Sequence, residues 1–120
     1  MQTTGNKQDT INRTTSLAMH AVAKYALDRR LPAPRAIRRP RLGDRAVRVD
    51  LFVGEHEAWV DALEAEYLST ETIGMHARSV AVRWTGQVPS PVGFVAVELR
   101  IVQQLVDSAR PLSLVPGGAA

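Results

Sequence analysis

Apolar side chains repeat with the period of an amphipathic helix in two stretches of the chain. The first helix is predicted for residues 15–30, with an apolar face made of Ala18, Ala21, Val22, Tyr25 and Ala26. We expect Pro32 to end it, because proline lacks a backbone N–H and biases the preceding residue toward an extended conformation. The second helix is predicted for residues 55–66, where Trp59, Val60, Leu63 and Tyr67 form an apolar stripe.

Strict alternation of apolar and polar positions predicts β-strands elsewhere. Residues 45–53 alternate most clearly, with Val47, Val49, Leu51 and Val53 on one face. Residues 36–42 are the expected partner strand, and Pro40 places this partner at an edge of the sheet or at a bulge, because proline cannot donate to a strand ladder. Further strands are predicted for residues 68–75, 79–86 and 95–101, with a turn at Pro89, Ser90 and Pro91.

The order of these elements is α-β-β-α-(β)-β-β. It predicts a two-layer α+β fold with an antiparallel or mixed sheet and two helices packed on one face. A chain of 120 residues is the size of one domain, which we place at residues 15–106. We expect the polar residues 1–14 to form a disordered N-terminal lead and residues 107–120, rich in Pro and Gly, to form a flexible tail.

Composition excludes several protein classes. The chain has no cysteine, so it has neither a disulfide framework nor a thiolate metal site. Its longest apolar runs are far shorter than the roughly 20 residues that a membrane-spanning helix needs, and the N-terminus lacks the apolar segment of a secretory signal. We therefore expect a cytoplasmic protein without a membrane partner.

No known catalytic or cofactor-binding motif occurs in the chain. His56 and Glu57 open a helix but lack the second histidine of the H-E-x-x-H zinc motif. The glycines do not precede a helix in the patterns that bind dinucleotides or phosphates, and no serine lies in a nucleophile elbow. We expect a non-enzymatic protein without a cofactor, metal or small-molecule ligand.

Charge is unevenly distributed along the chain, although the net charge is only +3. Residues 24–48 hold nine Lys and Arg side chains against two Asp, whereas residues 49–75 hold seven acidic side chains and no Lys or Arg. Separation of this kind indicates surface recognition. The candidate basic contacts are Arg35, Arg38, Arg39, Arg41, Arg45 and Arg48, which we call the arginine hairpin. The candidate acidic contacts are Glu55, Glu57, Asp61 and Glu64, which we call the acidic helix face.

Two arginines oppose each other across the predicted hairpin in either of its simplest registers. A two-residue turn places Arg48 opposite Arg39, and a three-residue turn places Arg48 opposite Arg38. Like charges in this position destabilise a strand pair by up to about 1 kcal/mol, so a compensating anion is expected. It could belong to the same chain, to a protein partner or second copy, or to a nucleic acid contacted through its phosphates. Interaction with protein is the leading functional hypothesis, and nucleic-acid binding is the alternative.

Two short stretches resemble a family of small uncharacterised proteins from Streptomyces-type actinomycetes and their phages or mobile elements. The matching features are the helix that ends at residues 29–34 (RRLPAP) and the helix segment at residues 58–63 (AWVDAL). The resemblance covers roughly residues 17–102 and implies an actinobacterial or phage origin and an intracellular accessory role. It implies no catalytic or binding residues.

Overall fold

The computed structural model describes residues 3–91 and 93–105, and its first element is helix α1 (Thr3–Asp28). The prediction of a disordered lead over residues 1–14 is therefore wrong for residues 3–14, which are helical. Extending an existing helix requires no new nucleus, and no proline interrupts this polar segment. The helix ends near the predicted position with Arg30 in the left-handed conformation (φ 57°) and a hydrogen bond from Leu31 N to Ala26 O of 2.9 Å.

The predicted hairpin forms from strands β1 (Ala36–Arg38) and β2 (Val47–Asp50), which pair antiparallel. Their register places Arg38 opposite Arg48, the pairing predicted for a three-residue turn, although the connection between the strands comprises residues 39–46. Strand β1 is shorter than the predicted residues 36–42 and ends before Pro40. It lies at one edge of the sheet, as Pro40 predicted.

Helix α2 (His56–Leu63) follows, and it ends earlier than predicted because Glu64 adopts the left-handed conformation (φ 49°). Strand β3 (Glu66–Ile73) then starts two residues before its predicted position. A short 3-10 helix (Met75–Ala77) leads to the long hairpin of β4 (Ser79–Ser90) and β5 (Gly93–Gln104). The turn predicted at residues 89–91 is wrong for its first two residues, since Pro89 and Ser90 lie within β4 and pair with Phe94 and Gly93.

The five strands form one mixed sheet in the order β1-β2-β5-β4-β3. All neighbouring strands are antiparallel except β2 and β5, which are parallel. Both helices contribute to a single core cluster with the same face of the sheet. The structure therefore confirms the predicted α+β class and its two layers.

The core lies between this sheet face and the helices. Its members are Val22 and Ala26 of α1, Trp59 and Leu63 of α2, Leu51 directly after β2, and Val47, Val49, Val88, Val97, Leu99 and Ile101 of the sheet. The indole N–H of Trp59 donates to Pro32 O at 2.8 Å, and Tyr25 Oη donates to Ala62 O at 3.1 Å, so the buried polar atoms of both rings are satisfied. These bonds fix α2 against the segment that follows α1.

The predicted flexible tail, residues 107–120, lies outside the described residues. Within residues 3–91 and 93–105, no helix combines the length and the apolarity that crossing a bilayer requires.

Candidate functional site

Strand alternation places charged side chains on the sheet face opposite the helices, which we call the open face. Val47, Val49, Val97 and Leu99 are fully buried in the core. Because neighbouring side chains along a strand point to opposite faces, Arg48 and Asp50 of β2 and Glu98 and Arg100 of β5 lie on the open face. The parallel register pairs Arg48 with Glu98 and Asp50 with Arg100. Opposite charges therefore lie side by side across these two strands.

Asp50 is a buried carboxylate at the centre of the first charge cluster, with only 7% of the residue exposed. Arg38 Nε lies 2.7 Å from its Oδ2 atom and forms the close contact of the cluster. Arg100 Nη1 lies 3.9 Å from Oδ1, which is an ion pair but too long for a hydrogen bond. One carboxylate thus faces two guanidinium groups.

Glu98 is the buried carboxylate of the second cluster, with 6% of the residue exposed. Arg41 Nη1 lies 3.1 Å from its Oε1 atom and 3.4 Å from Oε2. Arg83 Nε of strand β4 lies 3.8 Å from Oε2, and the same guanidinium also pairs with Glu71 of strand β3. This cluster connects the hairpin loop to the far half of the sheet.

The remaining members of the arginine hairpin have no carboxylate partner among the described residues. These members are Arg35, Arg39, Arg45 and Arg48. Arg39 Nη2 donates to Asn12 Oδ1 of α1 at 3.0 Å, and Arg48 Nε donates to Arg39 O at 2.9 Å. The Arg35 guanidinium lies 5.9 Å from the centroid of the Phe52 ring. These four side chains therefore form no ion pair among the described residues, although the parallel register places Arg48 beside Glu98.

The acidic helix face is exposed at all four of its positions, Glu55, Glu57, Asp61 and Glu64. Glu57 and Asp61 lie four residues apart on α2, on the side opposite the buried Trp59, whereas Glu55 and Glu64 flank the helix. None of the ion pairs within the described residues involves these carboxylates. Among the described residues, no ion pair therefore joins the arginine hairpin to the acidic helix face.

Sequence reasoning missed three residues of the open face, Arg83, Glu98 and Arg100. Glu98 and Arg100 lie on β5, which pairs with β2 although the two strands are distant along the chain, and Arg83 lies on β4, the other neighbour of β5. For Glu98 and Arg100, the sequence shows charged side chains that alternate with the core positions Leu99 and Ile101. This alternation does not reveal which strand pairs with β5.

The described residues contain no group of three or more His, Asp or Glu side chains arranged to hold a metal ion. No family model, curated protein or solved structure matches this chain.

Proposed function

We propose that this protein is a non-catalytic interaction module that binds an acidic protein surface through its arginine hairpin. The observation that carries the proposal is that two oppositely charged surfaces contain side chains without an ion pair among the described residues. Arg39 and Arg45 represent the basic surface, and Glu57 and Asp61 represent the acidic one. A second copy of the chain supplies the complementary charges directly, so self-association is the first form to test.

Electrostatic complementarity of this kind is sensitive to ionic strength, since exposed charges are screened over about 10 Å at 0.1 M salt. We expect a larger mass at about 50 mM salt than at about 500 mM salt in size-exclusion chromatography with light scattering. A monomer of unchanged mass at both salt concentrations contradicts self-association.

A charge exchange tests which surfaces meet. The first variant, Arg39→Glu with Arg45→Glu, carries acid on both surfaces, and the second variant, Glu57→Lys with Asp61→Lys, carries base on both. Each variant alone is expected to be monomeric at low salt, whereas an equimolar mixture is expected to associate again. Failure of the mixture to associate while the unmodified chain does so would place the contact elsewhere. The substituted side chains are exposed, so the fold should tolerate the changes.

Nucleic-acid binding is the second candidate, and it is favoured by the excess of arginine on one side of the molecule. The open face carries five arginines near three carboxylates, namely Arg38, Arg41, Arg48, Arg83 and Arg100 near Asp50, Glu71 and Glu98. In the described part of the chain, the aromatic ring in contact with a guanidinium of the arginine hairpin is that of Phe52, which lies near Arg35. Phe52 is 47% exposed. Contacts to phosphates without base stacking are therefore the expected mode.

A gel-shift titration separates this candidate from the first. Binding through several phosphates weakens steeply between about 50 and 200 mM salt. Arg39→Glu with Arg45→Glu reverses two charges of the arginine hairpin and is expected to weaken the shift, whereas Glu57→Lys with Asp61→Lys should retain or strengthen it. Both candidate functions would be supported if both variants lose self-association and only the arginine variant loses affinity for nucleic acid.

The cytoplasmic location, and the actinobacterial or phage origin that the resemblance implies, remain part of this proposal. An accessory role in such a cell is consistent with a small charged module.

A further inference from the structure

A cavity opens beside Asp50 on the arginine-rich part of the open face. Its volume is about 210 Å³, and it is lined by Arg35, Arg38, Asp50, Leu51, Arg100 and Val102. Three arginines and one aspartate are therefore among its lining residues. Because one carboxylate can offset only one of the three positive charges, the cavity carries an excess of two.

Hydrogen-bond donors in this wall exceed the acceptors. Arg38 Nε contacts Asp50 at 2.7 Å, but Arg100 Nη1 remains 3.9 Å away from the same carboxylate. Arg100 Nε is buried and has no hydrogen-bond partner among the described residues. A buried donor left unpaired costs about 1–3 kcal/mol, so a shift of the Arg100 side chain that lets this N–H reach an anion in the cavity would recover part of that cost.

The size of the cavity limits what it can hold. It is several times the roughly 30 Å³ that one water molecule occupies. It lies below the roughly 300–1,000 Å³ that is usual for pockets of larger organic ligands. The charge and the size together match a small ion with several oxygen acceptors, since guanidinium groups bind phosphate and carboxylate with paired hydrogen bonds.

We propose that this cavity is a binding site for a tetrahedral oxyanion of the phosphate type, held by Arg35, Arg38 and Arg100. Asp50 orients Arg38 and prevents the arginines from repelling one another in the unoccupied state. This site goes beyond the proposed interaction function, because it requires Arg100, which lies outside both the arginine hairpin and the acidic helix face. The ion could be free phosphate or the terminal group of a small phosphate ester, and both present the same oxygens.

Titration of the full chain with inorganic phosphate tests the site, with chloride at matched ionic strength as the reference. We expect saturable binding by isothermal titration calorimetry, together with movement of the arginine Nε–Hε signals in ¹H–¹⁵N spectra. A parallel titration with O-phosphoserine identifies the source of the ion. Binding of phosphate alone indicates a closed site for the free ion, whereas binding of both indicates that the ester can extend into solvent.

Two variants make the test specific to the cavity. Arg100→Gln and Arg35→Gln each remove one guanidinium and are expected to weaken phosphate binding about tenfold or more. Arg35 has no carboxylate partner, so Arg35→Gln keeps the fold and remains informative even if Arg100→Gln unfolds the protein. Arg13→Gln is the matched control, because Arg13 lies exposed on α1 and its loss removes the same charge.

The results separate this site from the interaction surfaces. Retention of phosphate binding in the Arg39→Glu and Arg45→Glu variant, with its loss in Arg35→Gln, would support the cavity even if no self-association occurs. No saturable binding, or equal weakening by Arg13→Gln, would overturn the proposal, since either result shows a general effect of charge.

Discussion

Asp50 is the residue on which the charge balance of the first cluster depends. Its side chain is 11% exposed, and it faces Arg38 and Arg100 across two different strand neighbours. A buried ion pair contributes little net stability compared with an apolar pair of the same shape, because both charges lose water. Removal of one partner is different, since the other charges then remain desolvated without compensation.

We therefore predict that Asp50→Asn lowers the free energy of unfolding by about 2 kcal/mol. This loss is smaller than the usual loss for a fully buried ion pair, because the Arg38 side chain is partly exposed to water. Urea denaturation followed by circular dichroism measures this loss. Asp61→Asn is the matched control, because Asp61 is exposed and has no ion pair among the described residues. Equal stability of the two variants would show that Asp50 does not compensate the arginines.

At the scale of elements, the hairpin of β1 and β2 shows how a local register organises the charged site. The pairing of Arg38 with Arg48 also places Ala36 opposite Asp50. Arg38 reaches Asp50 diagonally, and Arg48 turns its Nε to the Arg39 carbonyl. The repulsion between these two arginines, which the sequence predicts, is thus reduced by one buried carboxylate and one backbone acceptor, both within the same hairpin.

The same elements show what periodicity can and cannot predict. The alternation at Val47 and Val49 predicted both the strand and its buried face, and the stripe at Trp59 and Leu63 predicted the second helix. Alternation does not encode which strands become neighbours, because any strand with one apolar face can pair with another. Glu98, the acceptor for Arg41, therefore could not be assigned from sequence, since it reaches the hairpin only through the parallel pairing of β2 with β5.

Helix α1 illustrates a different limit. Residues 10–14 are exposed, and their sequence lacks the apolar pattern that predicts a helix. The helix nevertheless continues through them. Hydrophobic periodicity reports burial rather than backbone conformation. It therefore predicts the packed part of a helix and misses a solvated extension of the same helix.

At the scale of the whole molecule, the two edges of the sheet differ in length and in charge. Strand β1 has three residues, ends at Arg38 and is followed by Arg39 and Pro40, which are features that discourage pairing with another chain. Strand β3 has eight residues and presents Tyr67 and Leu68, which are 62% and 51% exposed. The register shift between Tyr67 and Ser69 interrupts β3 at one point and leaves Thr70–Ile73 in regular pairing with β4.

This asymmetry predicts that unwanted association through strand pairing begins at β3. Leu68→Lys places a charge on that edge, and we expect it to slow heat-induced aggregation measured by light scattering without lowering the unfolding midpoint. Leu105→Lys is the matched control, because Leu105 is 50% exposed, adds the same charge and lies beyond the end of β5. If both substitutions slow aggregation equally, net charge is responsible and the β3 edge is not the starting point. A greater effect of Leu68→Lys would also separate edge pairing from the salt-sensitive association proposed for the arginine hairpin.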